Sequence, residues 1–349
     1  MTEDGPPGVN VADLARWLGD MSGRPVDAAT LDIRRPSGGG WSNDTLFVND
    51  VVVRLAPSGP AMFPDYDLGR QCLMMRELST AGSVPVPAVL DADLEGTRLG
   101  RPALIMERVS GRAPSDDRPS FAEAGFLFDA SPTDQRHFHL TLLDAVVAIH
   151  STPLSADLAV ALGADKRSPL ARALDELEKT WTFDRGNHWA SVVDDALQHL
   201  RLTTPPAQPA GDLLLWGDAR PANVLVGNED LTPVAQLDWE LATVGPPELD
   251  VVWLAEMNRM RMEGSGVPRL AGFLSDDEAI EHYEERSRRT LQHLEWHRLL
   301  AATRIAALMH RHLRVMVQLG RLPETHRLFT ESVSTRRVVE LLGAATGRA

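Results

Sequence analysis

Three side chains that carry oxygen ligands lie close together around two short apolar segments. Asp218 follows an apolar segment that begins at Leu213, and Asn223 comes five positions later. Asn223 opens a short apolar strand at 223–226, a second strand runs over 234–237, and Asp238 follows it. Residues 227–230 between these two strands are turn-forming, so the strands are predicted to pair as a hairpin. In such a hairpin Asn223 and Asp238 face each other, although they lie fifteen positions apart in the sequence.

This trio of side chains suits phosphoryl transfer. An amide oxygen and a carboxylate are hard ligands for Mg²⁺, which completes its coordination with water and substrate phosphates. Asn223 and Asp238 are therefore predicted metal ligands, and a nucleotide is implied as the partner. Asp218 is placed to accept the proton of an attacking hydroxyl or to orient that hydroxyl. The alternative, three ordinary polar loop residues, does not account for their order across an apolar hairpin.

The segments before the trio predict a small sheet followed by a larger helical region. Hydrophobic periodicity and turn residues indicate a helix near 11–18, a hairpin within 31–55, a helix over 67–78, an extended segment at 84–89 and a strand at 102–106. A polar stretch to about Gln135 then precedes a helix at 140–150, and helical sequence continues to about Leu202. A linker at 203–211 precedes the hairpin. We predict a nucleotide-binding lobe at 1–108 and a lobe at 109–349 that carries the catalytic residues and binds the substrate.

Composition narrows the possible partners. The 349 residues carry a formal net charge of −14, which disfavours nucleic acid or an anionic membrane as the main partner because like charges repel. The single Cys72 leaves no intrachain disulfide. The start of the chain has no export signal pattern, and no apolar run approaches membrane-spanning length. A cytoplasmic protein that binds no membrane is expected.

The segments around the trio resemble a known family. Trp216-Gly217-Asp218, with Asn223 at the Asp-x-x-x-x-Asn spacing, is similar to the catalytic and metal-binding loops of the aminoglycoside phosphotransferase family, relatives of the protein kinases. The stretch 237–245 and Asp250 resemble the branch associated with acyl-CoA dehydrogenases. The similarity extends from about Gly38 to about Leu313. It implies an α+β, protein-kinase-like two-lobed fold, with a small antiparallel-sheet lobe before a larger, mostly helical lobe.

The resemblance also implies roles for individual residues, with ATP and Mg²⁺ as cofactors. Asp218 would be the catalytic base or the residue that orients the hydroxyl, Asn223 and Asp238 would be the magnesium ligands, and Asp250 would brace the catalytic loop from a helix. The implied nucleotide-binding residues are a glycine-rich turn over the phosphates, a basic residue on the following strand and an interlobe hinge: Gly39, Gly40, Ser42, Asn43, Arg54, Met106, Glu107 and Val109. The implied activity is transfer of a phosphoryl group from ATP to a hydroxyl of a small molecule.

Two departures from the family pattern leave an alternative open. Gln71 stands where the family's helix presents a Glu to the basic residue, and helical rotation turns Glu77 away from that face. Trp216 replaces the family's histidine, a place that tryptophan can fill by packing. These changes motivate the alternative of a nucleotide-binding pseudokinase or scaffold without turnover.

The sequence leaves the acceptor open among an aminoglycoside, another antibiotic, a hydroxyacyl thioester, a choline-like alcohol and another metabolite. Acceptor contacts are expected from residues 111–135 and 253–283. Acidic walls beside Asp218 would favour an amine, and basic or mixed walls an anion. The choice of ATP over GTP and the oligomeric state also stay open.

Overall fold

The chain forms a sheet-containing lobe followed by a larger helical lobe. The computed structural model describes residues 8–36, 42–164, 167–206 and 212–347. The predicted Gly39 and Gly40 lie outside these ranges.

The first lobe is built on a five-stranded antiparallel sheet with strand order β1-β2-β3-β5-β4. Its strands are β1 Ile33–Arg34, β2 Asp44–Val48, β3 Val51–Leu55, β4 Val89–Asp93 and β5 Ala103–Glu107. All residues of the central β3 are buried, as its run of valines predicts. Asn49 turns the β2–β3 hairpin with a φ of 52°, a conformation that Asn tolerates well. The predicted hairpin is confirmed.

Two helices complete this lobe: α1 Val11–Ser22 and α2 Leu68–Ala81. On α1 the apolar face buries Leu14, Trp17 and Leu18 against the sheet. The helix ends at Gly23, whose φ of 68° suits the left-handed C-terminal cap. Asp67 caps the N-terminus of α2 by accepting a hydrogen bond from the Arg70 amide. Both helices match the periodicity from which they were predicted.

The second lobe is mostly helical. Its helices are α3 Pro132–His150, α4 Ala156–Ala161, α5 Pro169–Thr182, α6 Val192–Leu202, α7 Glu248–Ser265, α8 Asp276–Ser287, α9 Leu294–Gln318 and α10 Val333–Thr346. Its four short strands are β6 Leu213–Leu215, β7 Val224–Val226, β8 Pro233–Gln236 and β9 Thr243–Gly245. Across the ranges that the structure describes, no helix has both the length and the apolar character needed to cross a bilayer.

The predicted start of α3 was wrong. The helix begins at Pro132 rather than near Leu140, because Ser131 caps its N-terminus and proline suits the first helical turn. Most residues of these first turns are exposed and polar, so hydrophobic periodicity does not reveal them.

His297 on α9 is expected to make the fold sensitive to acid. It is 2% exposed, neither ring nitrogen has a hydrogen-bond partner within the described ranges, and burial lowers its pKa to about 3. Below its ordinary pKa of 6.5 the unfolded chain takes up a proton that the folded chain does not. The free energy of unfolding therefore falls as the pH drops from 6.5 towards 3.

Replacing this histidine by leucine tests the expectation. His297→Leu should reduce the loss of unfolding free energy between pH 7.5 and pH 5 by about 2 kcal/mol, measured by urea denaturation at both values. His137→Leu, at an exposed position of α3, is the matched control and should leave the loss unchanged. An equal loss in His297→Leu and the wild-type protein would contradict the assignment.

Candidate active site

The loop that carries Asp218 follows the buried strand β6, which pairs antiparallel with β9. Trp216, at the start of this loop, is fully buried and stacks on Trp239 with ring centroids 5.4 Å apart. Its indole N–H donates to the carbonyl oxygen of Leu237 at 2.9 Å. The tryptophan therefore fills its position by packing, as predicted, and ties the Asp218 loop to the end of β8.

Asp250 on α7 holds the same loop through its backbone. Its two carboxylate oxygens accept hydrogen bonds from the amides of Trp216 at 2.7 Å and Gly217 at 2.8 Å. The predicted bracing role is confirmed. Gly217 has a φ of 80°, and a Cβ there would lie 1.8 Å from the carbonyl oxygen of Leu241, so the turn before Asp218 excludes a side chain.

His150 holds Asp250 in turn. Its Nε2 donates to Asp250 Oδ2 at 3.1 Å, because a carboxylate only accepts, and its Nδ1 accepts from the Tyr283 hydroxyl at 2.7 Å. All three side chains are fully or almost fully buried. The sequence indicates only a core or helix-end position for His150. The structure shows that α3, α7 and α8 converge on the Asp218 loop through this residue.

The structure brings Asp218, Asn223 and Asp238 together. The side-chain amide of Asn223 donates to the carbonyl oxygen of Asp218 at 2.9 Å and to Asp218 Oδ2 at 2.8 Å. The Leu237 amide donates to the carbonyl oxygen of Asn223 at 2.8 Å, just beyond the β7–β8 pairing. Asp238 follows with a φ of 61°. The predicted hairpin is confirmed, and its two ends carry the two predicted metal ligands.

Two oxygen atoms left over at this site are of the kind that a magnesium ion prefers as ligands. The Asn223 amide nitrogen is used by Asp218, while Asn223 Oδ1 and Asp238 Oδ2 accept no hydrogen bond from residues in the described ranges. No group of three or more His, Cys, Asp or Glu side chains in these ranges could hold a metal ion. Two protein oxygens leave most of an octahedral shell to water and phosphate, which is how Mg²⁺ is held at nucleotide sites.

Asp218 is buried among hydrogen-bond donors. Its Oδ1 accepts from Trp253 Nε1 at 3.1 Å, and its Oδ2 accepts from Arg220 Nε at 2.7 Å. Burial raises the pKa of Asp218 to about 7, and the negative charge of Asp238 adds to that rise. A carboxylate with a pKa near neutrality is suited to accept a proton during a reaction at that pH.

Arg54 reaches from β3 across to the hairpin. Its Nη2 lies 2.5 Å from Asp238 Oδ1, and its side chain is 9% exposed. Burial opposes the charge of Arg54, but Asp238 and Glu240 outweigh burial and raise its pKa. Gln71 on α2 is 1% exposed, and its Oε1 has no hydrogen-bond partner in the described structure. The carboxylates near Arg54 thus come from the hairpin and the residues after it, not from α2.

Glu240 is a residue that sequence reasoning did not single out. Burial raises its pKa to about 7, with a further rise from the charge of Asp238, while Arg54 acts in the opposite direction. Its Oε2 is buried and has no hydrogen-bond partner in the part of the chain described. Glu240 follows Asp238 by two positions, and this short spacing was the signal that could have identified it.

The other predicted nucleotide-binding residues occupy two places. Ser42 and Asn43 are buried beside each other, where the Asn43 side-chain amide donates to Ser42 Oγ at 3.1 Å. Met106 and Glu107 end β5, and Val109 follows in the connection to the second lobe. Met106 packs against core clusters of both lobes, so this segment lies at their junction.

Three arginines contact Asp218 or act on its charge. Arg220 forms ion pairs with Asp218 and Asp116, and Arg261 on α7 pairs with Asp116 at 3.2 Å. Arg304 on α9 lies over the ring of Trp253. Asp116, Trp253 and Arg261 fall within the segments from which acceptor contacts were expected. Arg304 lies outside those segments. It is on the long helix α9, where no sequence motif indicated a residue of the site.

Comparison with known proteins shows which family and which fold the chain shares. A family model described as the phosphotransferase enzyme family matches residues 32–291. The chain is 28% identical over 271 residues to acyl-CoA dehydrogenase family member 10 of Mus musculus, an alignment that covers 76% of this chain and 23% of that protein. The chain therefore spans about a quarter of the length of this curated relative.

Solved structures share the fold. An aminoglycoside phosphotransferase-like protein of Ralstonia eutropha superposes with a TM-score of 0.69 at 19% identity, covering 95% of this chain and 96% of that one. An ADP-bound aminoglycoside phosphotransferase superposes with a TM-score of 0.53 at 13% identity, covering 95% and 96%. At such identities the likeness concerns the fold. The predicted α+β, kinase-like two-lobed fold is confirmed.

Proposed function

The chain belongs to the phosphotransferase enzyme family, and from that premise we propose that it transfers the terminal phosphoryl group of magnesium-bound ATP to a hydroxyl group of a small molecule. One observation carries the proposal. The buried Asp218 carboxylate accepts a hydrogen bond from the side-chain amide of Asn223, whose Oδ1 accepts none within the described ranges, and Asp238 follows the hairpin that Asn223 precedes. A base and two hard oxygen ligands at one place are what this chemistry needs.

Asp218 has the role of proton acceptor in this proposal. The acceptor's oxygen forms a bond to the γ-phosphorus, the bond from that phosphorus to the leaving ADP oxygen breaks, and the hydroxyl proton passes to the Asp218 carboxylate. Hydrogen bonds from Trp253 and Asn223 fix the direction of that carboxylate. Magnesium, when bound by Asn223 and Asp238, neutralises charge on the transferred group.

The nucleotide lies between the lobes in this proposal, 1–108 on one side and 109–349 on the other. Arg54, Ser42 and Asn43, with the glycines at 39 and 40, bind the phosphates, and the backbone of 106–109 binds the base. A guanidinium can bind phosphate in a bidentate manner, which makes arginine suitable at this position of β3. The ADP bound in a structural neighbour supports nucleotide use.

The second candidate function is a nucleotide-binding scaffold without turnover. The observation that favours it is Gln71, buried on α2 without a carboxylate to offer Arg54. Glu240 weighs against it, because this carboxylate lies close enough to Arg54 to stabilise the guanidinium charge. The guanidinium of Arg54 can be stabilised by a carboxylate after the hairpin as well as by one on α2.

Binding and turnover measured together separate these functions. We expect Mg-ATP to raise the melting temperature of the protein, by an amount that grows with nucleotide concentration. ATP without magnesium should give a smaller rise. ATP consumption should then increase with at least one member of a panel of hydroxylated acceptors. A melting shift with no acceptor-dependent consumption would favour the scaffold, and the absence of any shift would exclude both functions.

A further inference from the structure

Arg304 occupies a defined position next to the proposed base. Its guanidinium lies 4.6 Å from the ring centroid of Trp253, in the stacked geometry of a cation–π contact. The same indole donates its N–H to Asp218 Oδ1 at 3.1 Å. The guanidinium of Arg304 and the carboxylate that receives the acceptor's proton in the proposed reaction therefore contact the same indole, one over its ring and the other at its N–H.

The charge of Arg304 is not matched by an ion pair or hydrogen bond within the described ranges. Burial lowers its pKa, although the carboxylates of Asp218, Asp250 and Glu176 act in the opposite direction. The side chain is partly buried in the helical lobe. A guanidinium carries several N–H donors in one plane. None of the Arg304 nitrogen atoms is among the buried side-chain atoms that lack a partner in the described ranges, so these donors are open to water or to a ligand.

The other arginines near this site and on the same helix are engaged. Arg220 and Arg261 share Asp116, and Arg220 also pairs with Asp218. The remaining arginines of α9 each pair with at least one acidic side chain: Arg298 with Asp276, Arg311 with Asp184, and Arg314 with Asp184 and Glu324. Arg304 is thus distinguished from its neighbours by position and by its open donors.

Three guanidinium groups, those of Arg220, Arg261 and Arg304, contact the Asp218 carboxylate or act on its charge. Arg220 and Arg261 pair with Asp116, and Asp117 also acts on Arg261, whereas Arg304 has no ion pair within the described ranges. A cationic group placed at Arg304 would meet a guanidinium with no carboxylate in hydrogen-bond contact, and repulsion would raise the energy of that complex. An anionic group could accept hydrogen bonds from the guanidinium of Arg304, whose position is fixed by its contact with the Trp253 ring.

We propose that the acceptor carries a carboxylate or phosphate in addition to its hydroxyl, and that Arg304 binds this anion while the hydroxyl lies at Asp218. The inference rests on the proposed phosphoryl transfer and names the substrate class of that site. Planar, paired N–H donors match both anions, so the shared chemistry is an oxyanion with two acceptor oxygens on one face.

A matched series of acceptors tests the inference on the wild-type protein. One arm contains short hydroxy acids that differ in the number of carbons between hydroxyl and carboxylate, each paired with its primary amide and with the corresponding amino alcohol. The second arm contains diols phosphorylated at one end, paired with the free diols. We expect kcat/KM for the best anion to exceed that for its neutral partner roughly 10- to 100-fold, the range for a hydrogen-bonded charge pair.

Variants at Arg304 connect that preference to the residue. In Arg304→Met the ratio of kcat/KM for the anion to that for its neutral partner should fall towards one, mainly through KM for the anion. Arg304→Lys should keep part of the ratio, because the charge is retained and the planar fork is lost. Arg336→Met, at an exposed position of α10, is the control and should leave the ratio unchanged. Melting temperatures with and without Mg-ATP verify that each variant is folded and binds nucleotide.

The outcomes distinguish the inference from the function on which it rests. An anion preference in one arm that depends on Arg304 supports the inference and identifies the anion as carboxylate or phosphate. Phosphorylation of neutral or amino acceptors with equal or greater efficiency overturns it while leaving phosphoryl transfer intact, as does a preference that survives in Arg304→Met. A wild-type protein that does not bind Mg-ATP overturns both.

Discussion

Asp218→Asn is expected to lower kcat for phosphoryl transfer by about 10²- to 10⁴-fold, the usual contribution of a positioned general base. The amide cannot take up the hydroxyl proton, yet it retains an oxygen that can accept from Trp253 Nε1. Mg-ATP should still raise the melting temperature of the variant, because the predicted metal ligands remain. Asp117→Asn, an exposed carboxylate near the same site, is the control and should retain wild-type kcat.

The pH profile gives a second measure of the same residue. With a pKa raised to about 7 in the unliganded protein, wild-type Asp218 is protonated below that value and cannot act as a base, so kcat/KM for the acceptor should fall on the acidic side. That limb should be absent from the residual activity of Asp218→Asn. The sign for stability is opposite, since a buried acid with a raised pKa destabilises the fold as the pH rises above its unfolded value. An Asp218→Asn protein that melts no lower than wild type at pH 8 and has lost its activity would assign the loss to chemistry. Wild-type kcat in this variant would contradict the role.

Asp238→Asn is expected to remove the magnesium dependence of nucleotide binding and to lower kcat/KM for ATP by at least about 10²-fold, since a charged metal ligand becomes a neutral one. The direct measurement is a magnesium titration of the ATP-induced melting shift. Wild type should show a saturable dependence on magnesium, and the variant should not.

Arg54→Met separates metal binding from the ion pair. Asp238 pairs with Arg54 at 2.5 Å, so a purely structural Asp238 would behave like its partner. Arg54→Met should weaken ATP binding but preserve its magnesium dependence. Equal behaviour of the two variants, with restored function when they are combined, would show that Asp238 serves only the ion pair.

Much of the site could be predicted because its residues are close in sequence. Asn223 and Asp238 flank a hairpin whose turn and apolar arms are visible in the sequence, and local pairing suffices to place them. Asp218 lies in the loop five residues before Asn223. The bracing role of Asp250 in the next helix followed from the family resemblance, and the structure adds the amides that it holds, those of Trp216 and Gly217.

Residues that meet only through tertiary packing were missed. His150 and Arg304 come from α3 and α9, and their positions depend on how long helices cross, which a single sequence does not specify. The start of α3 was missed for a related reason: its first turns depend on the cap at Ser131 and present polar residues outward. The ion pair between Arg54 and Asp238 could not be predicted from neighbouring residues in the sequence either, because β3 and the hairpin belong to different lobes.

The ion pair between Arg54 and Asp238 has a consequence for the order in which ligands bind. A magnesium ion alone would take Asp238 from Arg54 and leave a buried guanidinium without its closest counter-ion, an unfavourable exchange. A nucleotide that binds together with its magnesium ion would replace both partners of the ion pair: phosphate would pair with Arg54, and the metal would bind Asp238. The pair is thus expected to disfavour free metal and to select the assembled complex, which couples occupancy of the site to contact between the two lobes.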